Sequence, residues 1–308
     1  MNLLITGSLG HIGSFFLKKI KKNNKIKKIF VVDNNKSERI NFLFNFNSKN
    51  KILFRLSDLT RKESLNNITN IDTVIHFASM TNAEESIKFK KEIFKNNFLS
   101  FKNIVNFCIK KKCNLIHISS TSVYGSQDEI IDENCKILKP QSPYANIKLK
   151  EEKYLKKIKN KIKFVTLRFG TIAGVSGGMR FHTAVNKFCY NAIMDKPITV
   201  WKTAMNQYRP YLSIRDAYKA ILFVLEKKLF DNTIYNIVTT NLTVKQILKK
   251  IKKNKKEIKV ILTNSRIMNQ LSYNVLSKKI ENKGLKLSSN IDVDINNTFK
   301  IFKGINIF

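Results

Sequence analysis

The sequence predicts an α/β fold in which a doubly wound parallel sheet is followed by a smaller C-terminal lobe. Short, nearly continuous runs of β-branched and other apolar residues recur through the first half, as expected for strands covered on both faces. Amphipathic segments separate these runs, and alternation of strand and helix implies a parallel sheet. After Gly170 the alternation loosens, and the remaining chain is expected to form the smaller lobe.

The same patterns predict the order of the elements. Strands are predicted at Leu3–Thr6, Ile29–Asp33, Ile52–Leu56, Thr73–Phe77, Leu115–Ser119 and Phe164–Phe169. Helices are predicted at His11–Lys22, Arg61–Ile68, Glu84–Lys111 and Pro143–Lys159. Further along, the pattern predicts a helix over Thr183–Met194, a short strand at "ITVW", a strand running into a helix at "YLSIRDAYKAILFVLEK", and one more strand of the main sheet at "TIYNIV".

The composition limits the partners of the chain. The formal net charge is +35, but the lysines are spread along the whole length of 308 residues. We therefore expect no dedicated nucleic-acid partner, although such a field attracts anionic small molecules. No apolar run approaches the roughly 18 residues that span a bilayer, so no membrane partner is expected.

Cysteine usage and the first residues bear on the compartment. Cys108, Cys113, Cys135 and Cys189 are scattered, without paired spacing or an adjacent histidine cluster. Reduced thiols are therefore expected, with no disulfide framework and no metal site. The start "MNLLITGSLG" meets glycine too soon for a signal peptide and lacks a basic leader, so a cytoplasmic location is expected.

A glycine-rich turn follows the first predicted strand. "LLITGSLGHIG" places Gly7, Gly10 and Gly13 between that strand and the first helix. Such a turn needs glycine for positive φ and for close approach to a pyrophosphate that the helix N-terminus then faces. Asp33 ends the second strand roughly 20 residues later, where a carboxylate binds both hydroxyls of an adenosine ribose and repels a 2′-phosphate. NAD is therefore favoured over NADP.

The position of the glycine turn predicts how the chain is divided into domains. Residues 1–170 are expected to form an NAD-binding Rossmann domain, to which the chain returns near residues 209–240. Residues 171–308 are expected to form mainly a substrate-binding lobe.

A second motif combines a phenol with an ammonium group. "PQSPYANIKLKEE" contains Tyr144 and Lys148, which lie one turn apart on the same face of a helix. An unperturbed tyrosine is a poor base at neutral pH, but an adjacent lysine and a positively charged nicotinamide both stabilise its phenolate. The pair is therefore a candidate general base.

Five motifs in order resemble one known family. They are Thr-Gly-x-x-Gly-x-x-Gly at the first turn, Asp58-Leu59 after the third strand, "HFAS" after the fourth, "SSTSVYG" after the fifth and "PYANIK" at a helix start. This combination resembles the extended short-chain dehydrogenase/reductases, the NAD-dependent epimerase/dehydratase group that acts on nucleotide sugars. The resemblance covers nearly the whole chain and weakens in the final lobe.

The resemblance implies roles for individual residues. Ser120 would hydrogen-bond the sugar hydroxyl that is oxidised, Tyr144 would take its proton, and Lys148 would hold the nicotinamide ribose and lower the tyrosine pKa. The cofactor contacts implied by the turn and by the resemblance are Gly7, Gly10, His11, Ile12, Gly13, Asp33, Asn34, Asp58, Leu59, Phe77, Ala78, Ser79, Asn97, Tyr144 and Lys148.

The residues at Ser120-Thr121-Ser122 favour one reaction within the family. Family 4,6-dehydratases resemble Thr-Asp-Glu here, decarboxylases carry Glu at the place of Ser122, and 3,5-epimerases carry Cys there. A hydroxyl at this place resembles the hexose 4-epimerases. We therefore expect 4-epimerisation, with an NAD(P)H-dependent 4-keto-sugar reductase as the alternative and a dehydratase as a more distant one.

On the substrate side, "QYRPYLSIRDAYKAI" resembles a family block whose arginine, here Arg209, would clamp the nucleotide diphosphate. Arg266 and Tyr273 would supply a second diphosphate contact. Thr171 stands where many 4-epimerases have Asn. The expected substrate contacts are Ser120, Ser122, Thr171, Arg180, Asn186, Arg209 and Arg266.

The four histidines are expected to have no catalytic role. Two of the predicted helices bear on the oligomeric state. His11 is expected beside the cofactor without chemistry, His182 is expected at a helix start, and His76 and His117 are expected to be structural. The resemblance implies that the helices predicted at Glu84–Lys111 and Pro143–Lys159 pair with a second subunit, which gives a homodimer.

Overall fold

The centre of the molecule is a seven-stranded sheet whose neighbouring strands all run parallel. The computed structural model describes residues 1–44, 46–49, 51–81, 86, 88–264 and 272–303. The strands are β1 (Asn2–Thr6), β2 (Lys28–Asp33), β3 (Lys51–Leu56), β4 (Thr73–His76), β5 (Asn114–Ser120), β6 (Ile130–Ile131), β7 (Phe164–Phe169), β8 (Thr171–Ala173), β9 (Ile198–Trp201), β10 (Tyr208–Ser213), β11 (Thr233–Ile237), β12 (Thr240–Thr243), β13 (Val260–Thr263) and β14 (Asn274–Val275).

Helices cover both faces of this sheet. They are α1 (His11–Ile20), α2 (Lys90–Phe94), α3 (Ser100–Lys111), α4 (Pro143–Lys157), α5 (Ala184–Ile193), α6 (Ile214–Lys227), α7 (Val244–Lys252), α8 (Lys278–Glu281) and α9 (Ile291–Lys300), with a π-helical segment, Lys95–Leu99, joining α2 to α3. Short 3₁₀ helices lie at Ile40–Leu43, Lys62–Leu65, Thr121–Tyr124 and Lys202–Asn206. The predicted doubly wound α/β fold is confirmed.

The strand order explains where a crevice forms. The sheet has the order β11-β7-β5-β4-β1-β2-β3, so the chain builds outward from β1 in one direction and then from β4 in the other. The connections after β1 and β4 therefore diverge at the carboxyl ends of two adjacent strands, which is where α/β proteins bind ligands. The strand predicted at "TIYNIV" is confirmed as β11, which pairs with β7 at the sheet edge.

Two predicted helices differ from the structure. The segment predicted as Arg61–Ile68 forms only the 3₁₀ turn Lys62–Leu65, which ends where Asn66 adopts an extended backbone conformation (φ −62°, ψ 146°). The helix predicted from Glu84 is described from Lys90, and residues 84, 85 and 87 lie outside the described residues.

The lobe beyond β7 has a core of its own. A three-stranded sheet of order β12-β10-β8 and the parallel pair β9 and β13 pack with helices α5, α7 and α9. The domain boundary predicted at residue 170 stays a prediction. Beyond that residue, strand β11 pairs with β7 of the main sheet and helix α6 packs into the same core. Among the residues with described structure, no helix combines the length and apolarity that crossing a membrane requires.

A buried ion pair joins α4 to the sheet. Glu152 accepts hydrogen bonds from Ser119 Oγ at 2.6 Å, Arg168 Nε at 2.9 Å and Arg168 Nη2 at 2.6 Å. Both charged residues are buried. Because removing one partner leaves the other charge buried and unpaired, such a pair is costly to break.

We predict that Glu152→Ala destabilises the protein by about 3–5 kcal/mol, because it leaves the Arg168 guanidinium buried without its partner. Urea unfolding followed by circular dichroism measures the loss. Lys153→Gln, at the next and exposed position of α4, is the control and should stay within about 0.5 kcal/mol. Equal unfolding midpoints for the two variants would contradict the prediction.

Candidate active site

Two adjoining cavities occupy the crevice at the carboxyl edge of the sheet. The first, of about 400 Å³, includes Asp33, Asp58 and Ala78 in its lining, and the second, of about 410 Å³, includes Ser120 and Tyr144. Both are lined by Gly7, Gly10, Phe77, Ser79, Thr81 and Arg180. The two cavities therefore form one elongated cleft that passes over the glycine turn.

The glycine turn approaches the neighbouring strand so closely that a side chain cannot fit. Gly7 has φ 70°, and a Cβ there would lie 2.4 Å from the backbone nitrogen of Ala78. A Cβ on Gly13 would lie 2.3 Å from the carbonyl oxygen of Gly7. The turn therefore presents bare backbone and the N-terminus of α1 to the cleft, which suits a pyrophosphate.

Asp33 is oriented by the turn that it faces. Its Oδ2 accepts from the backbone N–H of Leu9 at 2.9 Å, and its Oδ1 accepts from that of Asn35 at 2.8 Å. Each carboxylate oxygen keeps a lone pair for a further donor. The carboxylate lines the first cavity, which is the arrangement that binding of a ribose diol requires.

The other predicted cofactor residues divide between the two cavities. Those that line the first cavity are Asn34, Asp58, Leu59, Phe77, Ala78 and Ser79. Those that line the second are His11, Ile12, Gly13, Phe77, Ser79, Tyr144 and Lys148. The geometry thus brings these side chains to the cleft, while their contact with a cofactor stays a prediction.

Asn97 is placed differently. It is buried, does not line either cavity, and lies in the π-helical segment between α2 and α3. Its Oδ1 accepts from the backbone N–H of Met80 at 2.8 Å, and its Nδ2 donates to the carbonyl of Met80 at 3.0 Å. Since Met80 lines the first cavity, Asn97 acts on that cavity by holding the loop after β4.

The four consecutive hydroxyl residues Ser119, Ser120, Thr121 and Ser122 span the end of β5, and all four line the second cavity. Ser119 donates to Glu152, and Thr121 donates to the carbonyl of Phe169 at 3.3 Å. Ser120 and Ser122 pair through their hydroxyls at 2.8 Å, and both line the second cavity. The hydroxyls of Ser119 and Thr121 therefore also hold the strand end, whereas those of Ser120 and Ser122 bond to each other.

Tyr144 and Lys148 lie on the first turns of α4 and face the second cavity. The ammonium nitrogen of Lys148 is 5.9 Å from the centroid of the Tyr144 ring. Burial raises the pKa of the Tyr144 phenol above its ordinary value, while the Lys148 ammonium and a hydrogen bond with Ser120 oppose that rise. The three predicted catalytic residues are thus brought together in one cavity.

Sequence reasoning gave no role to one carboxylate beneath this group. Glu151 is buried, and its Oε2 lies 2.9 Å from Lys148 Nζ and 2.9 Å from His117 Nε2. The i,i+3 spacing from Lys148 on a predicted helix was the available signal. His117, predicted to be structural, is buried as expected and also contacts Thr166 at 3.2 Å through Nδ1.

The predicted substrate residues are only partly in the second cavity. Thr171, Arg180 and Arg209 line it, as do Ser120 and Ser122. Asn186 does not line it and is buried, with Oδ1 accepting from the backbone N–H of Gly174 at 3.2 Å. Arg266 lies outside the described residues, whereas Tyr273 lines the cavity beside Thr121.

A loop of the C-terminal lobe closes over the glycine turn, and sequence reasoning did not find this contact. Gly178 donates its N–H to Ser14 Oγ at 2.8 Å and accepts from Arg39 Nη1 at 2.6 Å. A Cβ at Gly178 would lie 2.1 Å from the carbonyl oxygen of Leu9.

His11, at the start of α1, contacts the same loop. Burial lowers the pKa of His11 to about 4, and its neutral ring forms a hydrogen bond with the carbonyl of Gly174 at 2.7 Å.

The parallel sheet and the glycine turn at its switch point define a Rossmann-type, dinucleotide-binding class of protein. The model of one family, described as the NAD dependent epimerase/dehydratase family, matches residues 3–238. The chain belongs to this family, so it is an enzyme of a group whose cofactor is NAD.

Curated relatives and solved structures agree with this assignment. The ADP-L-glycero-D-manno-heptose-6-epimerase of Brachyspira hyodysenteriae is 29% identical over 240 residues, which cover 73% of this chain and 72% of that protein. The UDP-glucose 4-epimerase of Mycoplasma genitalium is 31% identical over 180 residues, 55% of this chain and 52% of that protein.

Among solved structures, the UDP-glucuronic acid 4-epimerase of Bacillus cereus, in complex with UDP-glucuronic acid and NAD, has a TM-score of 0.88 at 22% identity, covering 99% of this chain and 100% of that one. The dTDP-glucose 4,6-dehydratase of Streptomyces venezuelae, with NAD bound, has a TM-score of 0.85 at 19% identity. The match covers 99% of this chain and 98% of that one. At these identities the structures support the fold.

The lack of space for a side chain at Gly7 predicts the effect of a substitution there on NAD affinity. Gly7→Ala should weaken NAD binding at least tenfold, because the methyl group displaces the backbone of Ala78 or of the turn itself. Gly284→Ala is the matched control, since Gly284 also has positive φ, 101°, but has open space around its Cβ position. Isothermal titration of both variants with NAD makes the comparison, and equal affinities would contradict the role of the turn.

Proposed function

We propose that this chain is an NAD-dependent nucleotide-sugar epimerase that oxidises and re-reduces a sugar carbon, C4, with Tyr144 as the general base. The observation that carries the proposal is that Ser120, Tyr144 and Lys148 line one cavity that adjoins the glycine turn. A phenol, an ammonium group and a hydroxyl acceptor are what reversible alcohol oxidation beside a nicotinamide needs.

The residues of the cleft fit NAD. Gly7 and Gly13 leave no room for a Cβ, and the Asp33 carboxylate faces the first cavity with one lone pair of each oxygen unused. The carboxylate favours a ribose diol and repels a 2′-phosphate, which supports NAD over NADP. When bound, NAD supplies the acceptor and then the donor of the hydride.

The residues of this chain supply the proton transfers. Ser120 would orient the sugar hydroxyl, and Tyr144 as phenolate would accept its proton while the carbon is oxidised to the ketone. After the keto sugar turns in the cavity, the Tyr144 phenol would return the proton to the oxygen as the carbon is reduced on its other face. Lys148 favours the phenolate form throughout.

The cavity also supports an anionic, nucleotide-linked substrate. Arg209 and Lys187 line the second cavity, and none of its described lining residues is an aspartate or a glutamate. Arg209 would clamp the diphosphate, a planar contact suited to a guanidinium. The named relatives act on nucleotide sugars, and two of those compared are 4-epimerases.

The same absence of lining carboxylates separates the alternatives. Expulsion of a sugar hydroxyl by a dehydratase needs an acid and a base in the cavity, and the described lining offers hydroxyls and cations instead. A 4-keto-sugar reductase uses the same three residues but consumes one reduced cofactor per turnover, so cofactor balance distinguishes it from an epimerase.

We also propose that the enzyme is a homodimer formed through α2, α3 and α4. Phe94 of α2 is 41% exposed. Phe94 stacks on Phe98 with ring centroids 5.4 Å apart, and Lys150 of α4 lies over the Phe94 ring. Exposed aromatic residues of this kind favour burial against a second copy, which analytical ultracentrifugation tests.

The function is tested by supplying NAD and a panel of UDP-, dTDP-, GDP- and CDP-hexoses and following the sugar signals by NMR. We expect one donor to yield its C4 epimer without net formation of reduced cofactor. Net oxidation of added NADH or NADPH with a 4-keto sugar would instead identify a reductase. Absence of turnover with every donor would contradict the proposal.

The role of Tyr144 gives a second prediction. Tyr144→Phe should lower kcat by about 10²–10⁴-fold with little change in NAD affinity, because it removes the base and keeps the ring. Tyr154→Phe, on the same helix but outside the cavity lining, is the control.

The pH dependence has a definite sign. The active base is deprotonated and burial raises the pKa of Tyr144, so kcat/KM should rise with pH and fall as pH drops through that pKa. A rate that is flat or falls over the same range would contradict the assignment of Tyr144 as the base.

A further inference from the structure

We infer that Glu151 is a positioning residue for the catalytic lysine: its buried carboxylate, held by His117, fixes the Lys148 ammonium and offsets its charge, and thereby sets the pH at which Tyr144 acts. This inference rests on the proposed function of Tyr144 as the base. None of the sequence motifs described above assigns a role to Glu151.

The contacts of Glu151 define a buried site. Glu151 and Lys148 are almost fully buried, with side-chain exposures of 1% and 4%. One carboxylate oxygen, Oε2, lies 2.9 Å from Lys148 Nζ and 2.9 Å from His117 Nε2. With Nε2 protonated, His117 donates to Glu151, and its Nδ1 then accepts from the Thr166 hydroxyl at 3.2 Å.

The strand register makes this site rigid. His76 of β4 pairs in register with His117 of β5, and His117 pairs with Thr166 of β7, so the carboxylate of α4 meets groups fixed on adjacent strands. The ring of Phe101 from α3 packs 5.2 Å from the His117 ring, centroid to centroid. Glu151 therefore holds Lys148 at one place relative to Tyr144.

The titratable groups that interact with Glu151 and with its partners come from α4 and from the sheet. On α4 itself they are Tyr144, Lys148 and Glu152, and Glu152 is engaged with Arg168 of β7. The groups from the sheet are His76 and His117. Burial lowers the pKa of His76 to about 3, so this ring adds no positive charge near neutral pH.

The charges within this group oppose one another. Burial by itself favours neutral forms, but the Lys148 ammonium and the His117 hydrogen bond hold the pKa of Glu151 below its usual range, so it is ionised. The Lys148 charge that stabilises the Tyr144 phenolate thus has a negative charge beside it. Glu151 therefore offsets part of the effect of Lys148 at the phenol and raises the pKa of Tyr144.

The first test is Glu151→Gln, which keeps the shape of the side chain and removes its charge. We expect the pKa of Tyr144 to fall by about one unit, which is a tenfold gain in phenolate at pH values below that pKa. Glu151→Asp retains the charge and should leave the pKa near its parental value. Glu226→Gln, an exposed site on α6, is the matched control and should not move it.

The readout does not need the sugar. With NAD bound, ultraviolet difference absorbance of each variant against the same variant carrying Tyr144→Phe isolates one phenol among nine tyrosines. If a substrate is identified, the acidic limb of kcat/KM should move to lower pH by the same amount. A failed substrate panel would thus count against the proposed function while the titration still decides this inference.

A second variant keeps the test decisive if Glu151→Gln does not fold. Lys148→Met combined with Glu151→Leu leaves no unpaired charge buried, which favours folding. If Glu151 offsets part of the Lys148 charge at Tyr144, this double variant raises the pKa of Tyr144 by less than about one unit. A rise of more than about one unit would show that the lysine acts alone, and that result, or an unchanged pKa in folded Glu151→Gln, would overturn the inference.

Discussion

The approach of β1 to β4 at the glycine turn is the constraint on which the rest of the structure depends. Gly7 lies so close to the backbone of Ala78 that only glycine fits at this position. The segments that follow β1 and β4 diverge from this point. Because they diverge, the carboxyl edge of the sheet opens into a cleft. Asp33, Ser120 and Gly170 all follow or end strands at this edge, so strand termini supply this part of the candidate site.

Helix α4 connects this edge to the buried interior. Its first turn presents Tyr144 to the second cavity, and its later turns place Glu151 and Glu152 against β5 and β7. The two carboxylates serve different partners, since Glu152 holds Ser119 and Arg168 while Glu151 holds Lys148 and His117. The residues that bring Tyr144 to the cleft are therefore fixed by buried ionic contacts as well as by packing.

The sequence could predict the sheet and the turn because their signals are local. Continuous apolar runs, a glycine spacing and an acidic strand end each lie within a few residues. The helix predicted at Arg61–Ile68 was wrong: despite the amphipathic pattern, the backbone becomes extended at Asn66 and left-handed at Asn67, so only a 3₁₀ turn forms. Asn97 and Asn186 were expected at ligands, yet both bind backbone of nearby loops. Such long-range contacts depend on tertiary placement, as does the contact between Gly178 and Ser14.

The charge of the protein has opposite roles outside and inside the cleft. The net charge of +35 produces a field that draws anionic nucleotides toward the molecule, and Arg180 and Arg209 in the cleft continue that field. At the base of the second cavity, however, the Lys148 charge is met by a buried carboxylate. Salt screens the outer field, whereas the inner pair is shielded from solvent and is screened far less. Attraction of substrate and ionisation of the phenol are thus governed by separate sets of charges.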